Sequence, residues 1–303
     1  MKELKLSGYW AGCDNFGDKL TEVLWESITG KKIEQENANM AKICGAGSIL
    51  NRFVDLTLRK LRNPYPLYVF GTGFDNYYPN YGGKFIRKLK VYAVRGEYSK
   101  QYVERITGEE CVGGLGDIGL LIKHIAPSKP VVKRYDLGIV PHYVDKRDER
   151  FRILARRCHK SKILSVEDAP ARFVKELMEC KYVISTALHP IIACDALRIP
   201  NVWAYLPNAN QVDMSCKFND YYSAFGMEKA PLILTDDVLK GDIINSIEKN
   251  YDLSDKTVEL KVKELEKIFS DMYCDIQSDL PQDILWEGYR KVRKIGEEIS
   301  GRR

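Results

Sequence analysis

The chain has 303 residues, of which 45% are hydrophobic and 29% are charged, the composition of an ordinary globular protein with a sizeable core. No apolar run approaches the roughly 20 residues of a membrane span. The first residues lack the apolar core of a signal peptide, and the eight cysteines form no CxxC pair of the kind found in zinc or thioredoxin-like sites.

The net charge of +5 is uneven along the chain, with +7 over residues 1–135 and −2 over residues 136–303. A basic first half fits an anionic ligand or an anionic membrane surface. A solvated basic face is the equal alternative. If a membrane is the partner, we expect charge reversal at Arg87, Lys88 and Lys90 to abolish its binding.

Short apolar runs alternate with helical patterns along the chain, which predicts an α/β fold of βαβ units with parallel sheets. Pro127, Ser128 and Pro130 interrupt this periodicity and mark the expected boundary between two domains. The predicted strands are residues 4–9, 41–44, 67–70, 90–94, 118–121, 135–141, 161–166, 182–185, 201–205 and 231–235. The predicted helices are residues 19–28, 50–61, 96–106, 148–157, 170–180, 190–197, 255–273 and 281–299.

Two of the four histidines follow directly on predicted strands. His189 lies between a strand and the helix 190–197, and His142 follows the strand 135–141. Ligands of open α/β sheets bind at the carboxyl ends of the strands, and imidazole readily moves protons near neutral pH. His189 is therefore a candidate acid/base, whereas His142 is a second acid/base, an acceptor contact or a structural histidine.

The first predicted strand leads into a polar cluster that includes Asn15, Asp18 and Lys19. Asp18 is favoured as the cap of the helix 19–28. For Asn15 and Lys19 the sequence allows two roles, a local structural one and contact with a ligand in the first domain's cleft.

Glycines follow two further strands, as Gly45 with Gly47 and as Gly71 with Gly73. They let a backbone approach a ligand closely, or they form tight turns. The run that begins at Gly114 matches GxGxxG, but it lacks the preceding strand and the following helix of a dinucleotide site.

Arg95 follows a predicted strand and precedes a helix, a position that suits a phosphate or carboxylate ligand. A surface salt bridge with Glu97 is the equal alternative. Tyr77 and Tyr78 belong to a tyrosine-rich segment that would stack on a sugar. A rigid surface loop is the other interpretation of that segment.

Seven segments within about residues 8–226 read NFGDKL, GAGSIL, VFGTGF, AVRGEYS, GDIGLL, GIVPHYVD and STALHPIIACDALRIP. Taken together and in this order, they resemble the polysaccharide pyruvyltransferase family, especially its bacterial exopolysaccharide ketal pyruvyltransferases.

The resemblance implies a fold similar to the B-type glycosyltransferases, with two Rossmann-like domains facing a cleft. The expected domains are residues 1–133, on the acceptor side, and residues 134–280, on the donor side. A helix over residues 281–303 is expected to pack back on the first domain.

The resemblance also implies the reaction. The enolpyruvyl group of phosphoenolpyruvate would move onto two hydroxyls of a sugar in a bacterial cell-surface polysaccharide precursor, giving a pyruvate ketal and free phosphate. Phosphoenolpyruvate is a co-substrate, no further cofactor or metal is expected, and the acceptor is expected to be a lipid-linked oligosaccharide. The expected location is the cytoplasm, with contact to the cytoplasmic face of the inner membrane, and no nucleic acid is expected as a partner.

Carried over by position, the family motifs assign donor binding to Arg95 and Lys217 and acid/base chemistry to His189. One departure stands out, because Ala187 occupies a position at which many members have an arginine. The remaining residues, Asn15, Asp18, Lys19, Gly45, Gly47, Gly71, Gly73, His142, Tyr77 and Tyr78, are expected to line the cleft or bind the acceptor.

Two other classes of protein remain open. A sugar-nucleotide-dependent glycosyltransferase of the same architecture would need a carboxylate for the ribose, for which Asp195 or Asp213 is available. A non-catalytic binding protein is the second, suggested only by Ala187. A dehydrogenase is disfavoured because the dinucleotide fingerprint is incomplete.

Overall fold

The computed structural model describes residues 6–12, 15–55, 63–76, 83–207 and 215–279. The predicted helix 281–303, Tyr77, Tyr78 and Asp213 lie outside these residues. The strands are β1 (Leu6–Tyr9), β2 (Ile33–Gln35), β3 (Ile43–Cys44), β4 (Val54–Asp55), β5 (Asn63–Thr72), β6 (Lys84–Phe85), β7 (Arg87–Val94), β8 (Gly114–Leu115), β9 (Tyr135–Val140), β10 (Ser161–Ile163), β11 (Cys180–Ser185), β12 (Asn201–Tyr205) and β13 (Leu232–Ile233).

Helices connect most of these strands. The α-helices are α1 (Phe16–Thr29), α2 (Glu97–Thr107), α3 (Glu149–Arg157), α4 (Pro170–Met178), α5 (Leu188–Leu197), α6 (Ser215–Ser223), α7 (Asp236–Lys240), α8 (Ile243–Asn250) and α9 (Asp255–Ser278). Two 3-10 helices are η1 (Leu50–Phe53) and η2 (Ile118–Ile125).

The strands form two parallel sheets, which confirms the predicted α/β class. The first has six strands in the order β2-β1-β3-β5-β7-β8, and the second has five in the order β10-β9-β11-β12-β13. Neighbouring strands are parallel throughout both sheets. Strands β4 and β6 form a separate antiparallel pair. The domain boundaries predicted from the sequence stay a prediction.

Each parallel sheet reverses its strand order at one place. In the first sheet the chain runs from β1 outward to β2 and then returns to β3 on the other side of β1. In the second, β10 and β11 flank β9 in the same way. Connections leave in opposite directions at such a reversal, which opens a crevice at the carboxyl ends of the strands. The candidate ligand positions therefore follow β1 and β3 in one sheet and β9 and β11 in the other.

A shared apolar core lies between the sheets. It contains residues of both sheets, such as Phe70 of β5 and Val183 of β11, together with helices α1, α4, α5, α9 and η2. The rings of Phe16, on α1, and Phe173, on α4, are both fully buried with centroids 4.5 Å apart. Burial of this apolar surface joins the two sheets because separating them would return it to water.

Helix α9, near the end of the described chain, returns to the first sheet. Phe269 packs edge-on against Trp25 of α1 and Phe70 of β5, with ring centroids 5.2 and 5.3 Å away. Tyr92 of β7 donates a hydrogen bond to Asp275. The expectation that a C-terminal helix packs on the first domain concerned residues 281–303, so α9 does not test it.

Two predicted elements are wrong. Residues 118–121 were expected to form a strand, but they belong to the 3-10 helix η2, whose first turn is capped by Asp117 through a bond from the Gly119 amide of 2.8 Å. A short apolar run fits a buried helix as well as a buried strand, and here its residues fill the core between the sheets. The predicted helix 50–61 ends after η1, where the chain enters β4.

Side chains of helix α9 occupy the space beside the glycines of the apparent dinucleotide fingerprint. A Cβ atom on Gly114 would lie 2.5 Å from Ile268 Cδ1, and one on Gly116 would lie 2.8 Å from Leu265 Cδ1. Both glycines thus admit helix α9 rather than a pyrophosphate. Among the residues that the structure describes, no helix combines the length and apolar character needed to cross a membrane.

We expect Phe269→Ala to lower the free energy of unfolding by about 3–5 kcal/mol, because it opens a cavity where α9 meets α1 and β5. Leu260→Ala on the same helix is the control, since Leu260 is 59% exposed. Urea denaturation followed by circular dichroism measures both variants. Equal effects of the two substitutions would contradict the described packing of α9.

Candidate active site between the two sheets

A cavity of about 280 Å³ lies where the two strand-order reversals face each other. Its walls come from the loops after β1, β3 and β5 on one side and after β9 and β11 on the other, with α6 beside them. The lining residues are Ala11, Asn15, Gly17, Asp18, Gly47, Ser48, Ile49, Arg52, Asp75, His142, Tyr143, Val166, Ala187, Leu188, His189, Pro190, Lys217 and Phe218.

The structure brings six of the sequence-predicted residues into this lining: Asn15, Asp18, Gly47, His142, His189 and Lys217. Lys19, Gly45, Gly71, Gly73 and Arg95 are not among the lining residues. Tyr77 and Tyr78 lie outside the described residues and stay predictions.

The glycines outside the lining serve the packing of the chain. A Cβ on Gly71 would lie 2.4 Å from the Ile118 amide nitrogen, and one on Gly45 would lie 3.0 Å from Thr21 Oγ1. A Cβ on Gly73 would lie 2.6 Å from the guanidinium carbon of Arg95. Lys19 lies on α1, half-buried, outside the cavity.

The N-terminus of α1 is capped by Asn15 rather than by Asp18. Asn15 has an extended backbone, and its Oδ1 accepts a bond of 3.0 Å from the Asp18 amide. Its Nδ2 also donates to Asp18 Oδ2. The helix begins at Phe16, three residues before the predicted start, so the side chain of Asp18 is left to line the cavity. Burial raises its pKa to about 6, although Asn15 and the Lys217 charge act in the opposite direction.

His189 lies in the first turn of α5 and packs directly on the first turn of α1. A Cβ added to Gly17 would lie only 2.1 Å from His189 Nδ1, so this contact requires glycine. The opposite ring nitrogen, Nε2, is buried and has no hydrogen-bond partner among the described residues. Burial, together with the nearby charges of Arg95 and Lys217, lowers the pKa of His189 to about 3. The imidazole is therefore neutral at physiological pH.

His142 follows β9 on the same side of the cavity. Its backbone amide donates to Thr186 Oγ1 at 2.8 Å, and that hydroxyl donates to Asp145 at 2.9 Å. Its ring packs on Tyr143 with centroids 4.3 Å apart. Burial and the Lys217 charge lower the pKa of His142 to about 4, so this ring is also neutral.

Lys217 brings a cation to the cavity from α6. Burial and the neighbouring Arg95 lower the pKa of its ammonium group, whereas Asp75 and Asp18 oppose this effect. A second cation, Arg52, enters the lining from η1. The sequence did not single out Arg52, because the region was predicted to be a regular helix with no pattern that pointed this side chain at a ligand.

Arg95 lies beneath the cavity rather than in its wall. Its guanidinium is fully buried, with Nε donating to Asp220 Oδ2 at 2.8 Å, Nη1 to Ser48 Oγ at 2.5 Å and Nη2 to the Phe74 carbonyl at 2.7 Å. The alternative of a surface salt bridge with Glu97 is wrong, because no part of Arg95 reaches solvent. Direct contact of Arg95 with a donor stays a prediction, and this geometry gives the side chain a positioning role.

Asp220 also caps helix α2 from the other half of the chain. Its carboxylate accepts bonds from the Ser99 amide at 2.8 Å and the Ser99 hydroxyl at 2.7 Å. Ser223 Oγ accepts from the Glu97 amide at 2.8 Å. The Asp220 carbonyl oxygen lies so close to Gly96 that a Cβ there would be 1.6 Å away. Helix α2 has no local side-chain cap, so α6 supplies one.

Helix α5 has no side-chain cap at its N-terminus. Ala187 is its N-cap residue and provides no side-chain bond, and Pro190 has no amide hydrogen to offer. The first amides of a helix have no partner within the helix and carry partial positive charge. Leu188 and His189, which begin this helix, line the cavity. The first turn of α5 thus offers positive potential where the family resemblance expected an arginine side chain.

Asp195, suggested as a ribose ligand of a glycosyltransferase, points away from this cavity. It is buried on α5 and accepts bonds from Asn201 Nδ2 at 2.6 Å and Tyr221 OH at 2.8 Å. Burial raises its pKa to about 7. The carboxylate of Asp195 therefore binds neighbouring side chains and is not placed to bind a nucleotide in the cleft.

The basic cluster that suggested a membrane surface is partly internal. Arg87 is buried and donates to the carbonyls of Ala41 at 2.5 Å, Pro66 at 2.8 Å and Tyr65 at 3.0 Å. Lys90 is paired with Asp279 at 2.8 Å. Charge reversal at Arg87 would disrupt the first sheet, so it is not a test of membrane binding. Among the described residues, no group of three or more His, Cys, Asp or Glu side chains is arranged to hold a metal ion.

Comparison with known proteins gives two matches. A family model described as "Polysaccharide pyruvyl transferase" matches residues 38–205, which include Arg95, His142 and His189 but not Asp18 or Lys217. An uncharacterized protein of Acanthamoeba polyphaga mimivirus is 31% identical over 151 residues, which are 48% of this chain and 52% of that protein. The chain thus matches about half the length of this relative.

We expect Asp220→Asn to lower the free energy of unfolding by about 3–5 kcal/mol, since it leaves the Arg95 charge buried without its counter-ion. Arg198→Ala is the control. It breaks an exposed pair with Glu259 (3.1 Å), which is worth about 0–1 kcal/mol. Urea denaturation measures both. An Asp220→Asn variant within about 1 kcal/mol of the wild type would show that the buried pair does not hold the two halves together.

We expect Gly17→Ala to expel the His189 ring from its buried position. The pKa of His189 should then rise from about 3 toward the solvent value of about 6.5. NMR titration of the imidazole measures this shift. Gly12→Ala, where an added Cβ meets nothing within 4 Å, should leave the titration unchanged. A His189 that titrates alike in both variants would contradict the described contact.

Proposed function

Because this chain belongs to the polysaccharide pyruvyl transferase family, whose model covers more than half of it, we propose that it transfers the pyruvyl group of phosphoenolpyruvate to a sugar. The product is a pyruvate ketal on two hydroxyls of a cell-surface polysaccharide precursor, with release of phosphate. One observation carries the proposal: the strand-order reversals of both sheets open into one cavity that holds two cations and a neutral, unpartnered imidazole.

The donor carries a phosphate and a carboxylate on the same carbon atom, C2. Both groups need positive partners when they leave water. Lys217 and Arg52 supply full charges in the lining, and the first turns of α1 and α5 add partial positive charge from the backbone. The same lining holds the carboxylates of Asp18 and Asp75, so an anionic ligand would bind beside Lys217 and Arg52 and would favour the protonated form of Asp18.

The unpartnered nitrogen of His189 supports a chemical role. A buried polar atom without a partner costs stability, and such atoms are rare in folded proteins. Nε2 is one of six such atoms among the described residues, and of the six only His189 belongs to the cavity lining. A sugar hydroxyl or a donor oxygen would satisfy it. The pKa of about 3 keeps the imidazole neutral, with a free electron pair, but makes it a weak base in the free protein. The negative charge of a bound donor would raise that pKa toward the working pH, and His189 would then act as the base for the acceptor.

Arg95 acts on the donor through other residues. It fixes Ser48, the carbonyl of Phe74 and Asp220, and Asp220 lies one helical turn after Lys217 on α6. The guanidinium thereby sets the position of Lys217 and of two loops of the cavity wall. Its positive charge also lowers the pKa values of His189 and Lys217.

The proposal extends to the architecture and the acceptor. The two parallel sheets would correspond to the two Rossmann-like domains of a B-type glycosyltransferase fold, with the acceptor entering between them. The acceptor would be a lipid-linked oligosaccharide, which places the reaction at the cytoplasmic face of a membrane.

We expect isothermal titration calorimetry to show binding of phosphoenolpyruvate by the wild type, in preference to UDP-glucose and NADH. Lys217→Met should weaken binding by about 10- to 100-fold, because a charge-assisted contact is worth about 1.5–3 kcal/mol. Lys256→Met, at an exposed position of α9, is the control and should bind like the wild type. Tight binding of UDP-glucose without any phosphoenolpyruvate signal would contradict the proposed function.

A further inference from the structure

Asp18 is a second titratable group in the wall that holds His189. The two residues belong to the first turns of α1 and α5, which touch where Gly17 meets the imidazole. Asp18 lines the same cavity as His189 and is half-buried. Within the described part of the chain, Asp18 accepts a hydrogen bond from Asn15 but neither caps the helix nor forms an ion pair, since Lys217 acts on it only through its charge.

The two oxygens of Asp18 are not equivalent. Oδ2 accepts from Asn15 Nδ2, so a proton on this carboxyl group belongs on Oδ1. A Cβ built on Gly47 would lie 3.5 Å from Oδ1, and Gly47 has a φ of +98° that favours glycine. Gly47 thus presents no side chain beside Oδ1, and both residues line the cavity.

Charged and titratable groups from the neighbouring elements line the cavity together with Asp18. Among them, the charge of Lys217 lowers the pKa of Asp18, against the larger effect of burial. These groups are Lys217 of α6, His189 of α5, Arg52 of η1, Asp75 after β5 and His142 after β9.

The proposed reaction needs an acid and a base at the same time. One group must protonate the methylene carbon of phosphoenolpyruvate, and another must take the proton of the attacking hydroxyl. His189 is harder to protonate than Asp18, because burial and the charges of Arg95 and Lys217 lower its pKa to about 3. Asp18 has the raised pKa expected of a carboxyl acid, as burial holds it near 6.

We propose that Asp18 is the acid that protonates the methylene carbon of the enolpyruvyl donor, while His189 is the base for the first sugar hydroxyl. This inference rests on the proposed function and assigns the two proton transfers within it.

The steps balance. The proton of Asp18 forms the new C–H bond with the electron pair of the C=C bond, which leaves an oxocarbenium centre at C2. The first hydroxyl adds to C2, and its proton passes to His189. The bond from C2 to the phosphate oxygen breaks with its electron pair on oxygen, which takes the proton from His189 and leaves as hydrogen phosphate. The second hydroxyl adds to C2 and returns a proton to the Asp18 carboxylate.

The first test needs no acceptor. At about pH 7.5, Asp18 in the free protein is almost wholly ionised, and the negative charges of bound phosphoenolpyruvate favour its protonated form. Calorimetry in buffers of different ionisation enthalpy counts the protons taken up on binding. We expect the wild type to take up close to one proton more than Asp18→Asn, which has no carboxyl group to protonate.

Asp75→Asn is the matched control, because it removes the same charge from the same cavity. It should retain the proton uptake of the wild type. Equal uptake by the wild type and Asp18→Asn, with phosphoenolpyruvate bound to both, would overturn the assignment of Asp18 and leave the proposed function intact. Absence of phosphoenolpyruvate binding by the wild type would overturn the proposed function, and this assignment with it.

The second test measures turnover with phosphoenolpyruvate and a panel of methyl glycosides, as phosphate release and as the ketal methyl signal in NMR. Asp18→Asn should keep its melting temperature and bind the donor at least as tightly as the wild type, because its binding needs no proton uptake at this position, but it should lose about 10²- to 10⁴-fold in kcat. Turnover by Asp18→Asn near the wild-type rate, or an equal loss in Asp75→Asn, would show that Asp18 contributes charge alone.

Discussion

The buried pair of Arg95 and Asp220 is the interaction on which the site depends. It joins the loop after β7 to helix α6, which are far apart in sequence, with both side chains fully buried. The same guanidinium holds Ser48 after β3 and the Phe74 carbonyl after β5. One side chain thus fixes three segments that meet at the cavity wall. Because a buried charge is stable only with its partners in place, these segments keep one relative arrangement.

The electrostatic state of the cavity follows from that arrangement. Burial and the positive charge of Lys217 keep both His189 and His142 neutral, and the charge of Arg95 adds to this effect on His189. Burial also disfavours the ammonium form of Lys217. Burial alone raises the pKa of Asp18. An anionic ligand would raise the pKa values of His189, His142 and Lys217, and it would favour the protonated form of Asp18. Binding of a negatively charged donor would therefore favour protonation of Asp18, and the proposed proton transfers would follow from that binding.

Much of the site was predictable from the sequence, because one rule of α/β folds places it. Polar residues that follow parallel strands meet at the carboxyl edge of the sheet, and this rule correctly brought together His142, His189 and Gly47. The family resemblance added Lys217, on a helix that the element prediction had missed. The α/β class was equally accessible, since strands and helices alternate along most of the chain.

The remaining features depend on contacts that a sequence pattern does not contain. Arg95 was predicted to bind the donor, and nothing in the sequence pointed to its partner Asp220, which is 125 positions away. Asp18 looked like a helix cap because Asn15, three residues earlier, is an equally good cap, and only the backbone shows which one the helix uses. Residues 118–121 looked like a strand because an apolar run does not reveal which buried element it forms.

The most direct test of this account is a crystal structure of the protein with phosphoenolpyruvate bound. We predict that the donor lies in the cavity between the first turns of α1 and α5, with Lys217 on one of its anionic groups and Asp18 beside the methylene carbon. Arg95 should remain paired with Asp220. A donor held directly by Arg95, with Asp220 released, or a donor bound outside this cavity would contradict the account.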